Sequence, residues 1–155
     1  MNFSVIWYTQ KIKKALTQMQ REVKPCALTS MRQATQFLRG YIVKNKLSGQ
    51  VLHRRSGKLA GSIMGEAKIE GGDVVGIVGS NLKYARIHEL GGIIRPKNFT
   101  YLHFKIGDEW IKTKEVNMPK RSYIKPSLEE SKNKIREILG VKFFSELVTK
   151  GKKIV

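Results

Sequence analysis

The sequence predicts an α+β fold: a small, mainly antiparallel sheet flanked by N-terminal and C-terminal helices, in one domain spanning residues 1–155. Three observations predict it. Apolar residues recur at helical spacing through the first 47 residues; the period then drops to two across EAKIEGGDVVGIVGS and TYLHFKIG; helical spacing returns after Pro126. With 155 residues and 41% apolar composition, the chain can bury one core and lies near the usual size of a single domain.

In the helical region 1–47, Ile6, Tyr8, Ile12, Ala15, Leu16, Met19 and Val23 form one apolar series. Leu28, Met31, Ala34, Leu38 and Ile42 continue it after Pro25. Proline lacks the N–H that the helix needs, so the pattern predicts two helical pieces with a kink or break near Lys24. The opposite faces carry Lys11, Lys14, Arg21, Arg32, Arg39 and Lys46.

The sheet region spans residues 48–126. SGQVLHRRSG reads as a loop leading to a brief turn at KLAGSI, with Ser56 as its cap and Leu59 and Ile63 as its anchors. Two strands follow, joined at Gly71-Gly72-Asp73, with Ile69, Val75 and Ile77 expected to pack. A short helix over 82–90 is expected after Asn81 as cap, with Tyr84, Ile87 and His88 along one side and Gly91 ending it in a left-handed conformation. The insert 93–118 alternates Leu102, Phe104 and Ile106 with Tyr101, His103 and Lys105, then turns at Gly107-Asp108 into WIKTKEV. Pro126 suits the first turn of a last helical region, 126–155, containing Leu128, Ile135, Ile138 and Leu139.

Charge bounds the partners. The chain carries 30 basic and 12 acidic residues, and residues 1–60 hold twelve Lys or Arg against the single acid Glu22, a balance of +11. Such a surface attracts polyanions by counterion release, with affinity that falls steeply with salt. Nucleic acid or an acidic protein is the implied partner, the alternative being that the excess lysines only solvate a face, and Arg54 and Arg55 extend the basic set. No zinc-finger spacing or aromatic RNA-binding strand pair narrows the choice. The chain has no apolar run of membrane-spanning length, and MNFSVIWYTQ lacks a basic leader, so a soluble, unprocessed protein is expected. Cys26, the single cysteine, allows no internal disulfide and reads as a buried thiol.

Active-site patterns fail on spacing. His88-Glu89 begins H-E-x-x-H, but Gly92 stands where the second histidine belongs, and His53 and His103 are distant singles. Among the carboxylates, Glu66, Glu70, Asp73 and Glu89 lack the arrangement that a catalytic Mg2+ needs, and Glu70 and Asp73 flank a turn where polar residues belong anyway. The glycines of GGDVVGIVGS lack the lysine and hydroxyl of a phosphate loop. A protein that is not an enzyme, with neither metal nor cofactor, is expected.

The order of RRSGKLAGSI, VVGIVGS, KYARIHELGG and MPKRSYIKPSLEE, over about residues 54–130, resembles the bacteriophage virion morphogenesis and tail-completion proteins, small components that join head to tail or terminate tails. Ser56, Gly57, Leu59 and Ile63 match the family's turn before the hairpin, and Val78, Gly79 and Ser80 its exit. Tyr84, Ala85, His88, Glu89 and Gly91 match the tyrosine-alanine and acidic-glycine signature; Pro119, Arg121, Tyr123, Ile124 and Pro126 match the late proline-arginine-aromatic-proline segment. Two departures stand out: RSY at 121–123, where proline and phenylalanine are more typical, and the long insert. The resemblance implies that these positions support the fold and ring assembly and that none is catalytic. It also implies a ring homo-oligomer, six-fold in the simplest case, with other neck or tail proteins as partners, DNA passing through the ring and no membrane. The location it implies is the virion tail or neck, with assembly in the host cytoplasm. The competing expectation is a non-sequence-specific double-stranded DNA-binding protein of a mobile element.

Overall fold

The computed structural model describes residues 3–52 and 56–151, with backbone alone at 3–12, 15, 19, 150 and 151. Among the described residues, four helices and six strands follow one another as α1 (Phe3–Asn45), α2 (Lys58–Ser62), β1 (Ile63–Glu70), β2 (Asp73–Ser80), α3 (Lys83–Leu90), β3 (Gly92–Ile94), β4 (Leu102–Ile106), β5 (Glu109–Thr113), β6 (Val116–Met118) and α4 (Ile124–Gly151). The strands form three antiparallel pairs, β1–β2, β3–β6 and β4–β5, between the long terminal helices. The α+β fold is therefore as expected, with the sheet divided into ribbons.

Helix α1 is one unbroken helix with Pro25 inside it, which corrects the expected pair of pieces. Two causes offset the proline's loss of one backbone bond. The segment before it is rich in strong helix formers such as Lys, Gln, Met and Leu. Immediately after it begins a buried stripe, Cys26, Ser30, Ala34, Leu38 and Ile42, at four-residue spacing. That stripe holds α1 against its neighbours, chiefly α4 and the β1–β2 hairpin. Cys26 is buried, as its single occurrence suggested.

The core gathers Leu38, Ile42, Leu47, Leu52, Ala60, Ile63 and Tyr123, with Leu59, Val78 and Ile135 packed around it. Four chain segments thus share one apolar centre. The end of α1 is also tied to the start of α4: Tyr41 Oη and Lys46 Nζ donate to the Glu130 carboxylate at 2.9 and 2.7 Å.

The β1–β2 register runs from Ile63 opposite Ser80 to Glu70 opposite Asp73, so Gly71-Gly72 is a two-residue turn with both φ values positive. This register places Val74, Gly76 and Val78 on the side of α1 and turns Val75 and Ile77 outward. Expected packing is corrected at Ile77, which is 46% exposed, while Val75 is half-buried. Ile69 shares the inner side but lies beside the turn, beyond full cover, and is also exposed. A Cβ on Gly65 would come within 2.8 Å of the Thr35 carbonyl oxygen, and one on Gly76 within 2.6 Å of Met31 Sδ. Absence of side chains there lets the hairpin lie directly on α1, where Gln36 Nε2 and Arg39 Nε donate to the Gly65 and Ile63 carbonyls at 3.0 and 2.8 Å.

Neither short helix is capped as expected. Gly57, at φ 70°, precedes α2, while Ser56 Oγ accepts only a long bond from Lys58 N–H. Leu82, not Asn81, precedes α3, and its N–H donates to Ser80 Oγ at 3.1 Å.

Candidate functional site

The densest set of polar contacts lies where α3 meets the start of α4. The Glu89 carboxylate accepts from Tyr123 N–H at 2.7 Å, Ile124 N–H at 2.9 Å, Lys125 N–H at 3.1 Å and Ser122 Oγ at 2.5 Å. Those backbone donors are the ones an α-helix leaves unpaired at its first turn, and Pro126 next to them has no N–H to satisfy. Glu89 is thus an N-cap supplied from another helix, and its negative charge faces the positive end of the α4 dipole. Burial by itself pushes the carboxyl pKa up, but the bonds from Ser122, Ile124, Tyr123 and Lys125 outweigh it and hold the group below the usual glutamate range.

Backbone bonds extend the joint. Arg121 N–H donates to the His88 carbonyl at 2.8 Å. Gly91 N–H closes α3 onto the Ile87 carbonyl at 2.9 Å. Gly91 has φ 72° with an extended ψ of −178°, a glycine conformation distinct from the expected left-handed helical one. A Cβ at this position would also meet Lys120 N at 2.9 Å. Backbone passes against backbone here, and only glycine fits.

Of the expected Tyr84, Ile87 and His88 face, Ile87 and His88 are half-buried and Tyr84 is exposed. Ala85 is the buried residue of α3, whereas Tyr84 is 42% exposed and meets the His88 ring edge-on at a centroid distance of 6.2 Å. Tyr123, fully buried, points its hydroxyl at the Ala85 carbonyl over a long 3.4 Å. Burial, followed by the charges of Glu89 and Tyr84, pushes its phenol up to about 12. His88 Nδ1 is buried with no hydrogen-bond partner, and burial, assisted by the Arg121 charge, lowers the imidazole pKa. Its neighbour Glu89 has both oxygens engaged by the donors at the start of α4. Among the described residues no group of three or more His, Cys, Asp or Glu is placed to hold a metal ion.

The insert forms an arm. β3 and β6 pair at its base, from Gly92 opposite Met118 to Ile94 opposite Val116; β4 and β5 pair farther out, turning at Gly107-Asp108. Ile93, Phe99, Ile106 and Trp110 are exposed along it, Phe99 at 82% and Trp110 at 75%. The loop 95–103 encloses an open groove of about 720 Å³ lined by Arg95, Lys97, Phe99, Tyr101 and His103, with Lys112 Nζ 4.3 Å above the Tyr101 ring.

The residues singled out in the sequence fall into three places. Leu59, Ile63, Ala85, His88, Glu89, Gly91, Arg121, Tyr123 and Pro126 converge on the core and the α3–α4 joint, with Pro119 on the exposed approach to it. Gly79 lies on the outward side of β2 opposite Met64. Of the basic set, Lys14, Arg21 and Arg32 are exposed on α1, but Arg39 donates to β1 and Lys46 pairs with Glu130. The Lys11 side chain, His53, Arg54 and Arg55 lie outside the described residues. Sequence reasoning missed Ser122, Glu130 and the contact glycines Gly65 and Gly76, since their partners stand 29 to 89 positions away and leave no local signal.

A two-helix frame, a hairpin laid on α1, a helix capped from a distance and an arm with exposed apolar side chains together define a small α+β fold. The chain belongs to the phage virion morphogenesis family, whose model matches residues 32–143, wider than the stretch that carried the resemblance in the sequence. Its role therefore lies in the structure and assembly of the phage particle. No curated protein and no solved structure matches it. Among the described residues no helix is long and apolar enough to cross a membrane.

Proposed function

We propose that this protein is a non-enzymatic subunit of a ring, hexameric in the simplest case, that completes the tail or joins head and tail of the particle. The observation that carries the reading is the arm 92–118, which leaves Phe99, Ile106 and Trp110 in water although the body has a complete core without them. Exposed apolar groups on a two-stranded ribbon, itself marginal alone, favour a surface that is completed by a neighbour. Ring closure needs such heterologous contacts. Neck or tail proteins stack on the ring so formed.

The exposed Lys14, Arg21 and Arg32 on α1 support a basic wall facing the phosphate backbone of passing DNA, without base readout. The same residues support the second reading, a non-sequence-specific DNA-binding protein of a mobile element. Deleting the gene and imaging the particles tests the first reading: tails and heads that fail to join, or tails of uncontrolled end structure, are expected, and normal infectious particles would refute it. Duplex affinity measured against salt separates the two. Weak, steeply salt-dependent binding accompanies the ring, whereas tight binding by isolated monomers or dimers favours the second reading.

A further inference from the structure

Pairing register divides the outer ribbon of the arm into two unlike faces. Leu102, Phe104, Ile111 and Thr113 share one face and are half-buried. His103 opposite Lys112 and Lys105 opposite Trp110 form the other, and all four are exposed. This second face is basic and aromatic: the strands place no carboxylate on it, Lys105 Nζ meets Asp108 of the adjoining turn at 3.2 Å in a solvent-exposed pair that a neighbour's carboxylate can replace, and Trp110 is 75% exposed.

A complementary face exists on the same chain. The side of β1–β2 turned away from α1 carries Met64 opposite Gly79, Glu66 opposite Ile77, Lys68 opposite Val75 and Glu70 opposite Asp73. Three carboxylates stand there against one ammonium, in a chain whose overall charge is +18. Met64 and Ile77 are 56% and 46% exposed in its middle. Lys68 and Glu70 pair with each other, but Glu66 and Asp73 make no ion pair among the described residues.

We propose that the His103, Lys105, Trp110 and Lys112 face of the arm docks on the Met64, Glu66, Asp73 and Ile77 face of a second copy. This contact rests on the ring reading above and specifies its joint. Both surfaces are two-stranded ribbons, which pack face to face with their side chains interdigitating. Trp110 covers Met64 and Ile77, while Lys112 and Lys105 approach Glu66 and Asp73. Charge sets the register and apolar burial holds it. Two different patches meet, so copies add head to tail, as a closed ring requires.

The test uses the full chain. Glu66→Lys with Asp73→Lys, and separately Lys105→Glu with Lys112→Glu, are expected to weaken self-association at least about tenfold, and chains carrying all four changes recover it. All four positions are exposed, so helical circular dichroism, and thermal unfolding read at concentrations where every chain is monomeric, stay unchanged and serve as the folding control. In a mixture of Trp110→Cys and Ile77→Cys chains, oxidation is expected to link one of each. Oligomers indifferent to both reversals, a failure to recover, a monomer at every concentration, or links to another virion protein in place of a second copy would each overturn the contact. Rings that ignore the reversals leave the ring reading standing. Normal particles formed without the gene remove that reading while leaving a cross-linked pair intact.

Discussion

Glu89 and Tyr123 lie 34 positions apart and are joined by a 2.7 Å bond from the Tyr123 N–H to a Glu89 carboxylate oxygen. Through this pair the short helix that ends the hairpin region starts the long C-terminal helix. An acid that resembles half of a metal-protease motif is consumed in ending one backbone's unpaired donors.

Removing that cap loosens α4 from its first turn. Glu89→Ala leaves three backbone donors to water or to nothing and is expected to cost about 2–3 kcal/mol, near the upper range for bonds to a charged acceptor. Urea unfolding gives the magnitude. Hydrogen exchange places it, with faster exchange at Ile124 and Lys125 than in the middle of α4.

Acid should reveal the same group. A carboxyl whose folded pKa lies below its unfolded value stabilises the fold above the unfolded value and loses that contribution as pH falls through the folded one. For Glu89 the loss begins near its ordinary 4.5 and continues downward. The lowered pKa of His88 acts in the same direction in a higher window: the neutral ring favours folding above 6.5, and stability declines as pH drops below that value. Urea midpoints measured from about pH 8 to pH 3 should show both declines. Glu89→Gln reduces only the lower one, part of which remains with Glu130, whose carboxyl the Lys46 and Tyr41 bonds also hold down, and His88→Gln removes only the upper.

Two glycines provide a matched pair. Gly91→Ala must adopt φ 72° and meet Lys120 N at 2.9 Å, so a loss of about 2–3 kcal/mol is expected. Gly140→Ala lies within α4 with nothing within 4 Å of the new methyl, and a gain of about 0.5–1 kcal/mol is expected. Thermal unfolding of the two variants should move in opposite directions.

Tyr123 separates burial from hydrogen bonding. Its hydroxyl bond of 3.4 Å is long, so Tyr123→Phe is expected to cost less than about 1 kcal/mol. Tyr123→Ala opens the core beneath α3 and is expected to cost about 3–5 kcal/mol, the range for large buried aromatics. Equal losses in calorimetry would mean that the hydroxyl, and not the ring, anchors the joint.

Pro25→Ala restores a bond in the middle of α1 and should stabilise the protein by about 1–3 kcal/mol, since proline disfavours helix interiors by roughly 3. Unfolding midpoints and helical ellipticity both rise if the helix is continuous in solution. A helix already broken at Lys24 would gain neither.

By itself, the sequence determined the types of the longer elements, the two glycine turns at Gly71-Gly72 and Gly107-Asp108, the start of the last helix near Pro126 and the family, but not the short β3–β6 pair. These are local properties: periodicity, turn chemistry and motif order are all written within a few residues of where they act. It did not determine which side of β2 faces inward. Val74 and Val75 are both apolar, and parity counted back from a two-residue turn decides between them. Nor did it determine whether Pro25 breaks α1, because the opposing stabilisation is the buried stripe from Cys26 to Ile42, whose partners are distant in the chain. The tertiary structure alone decided that Arg39 and Lys46 serve the fold, and that Glu89 holds another helix's N-terminus. Such choices depend on contacts across 24 to 89 positions, and only folding brings those groups within hydrogen-bonding range.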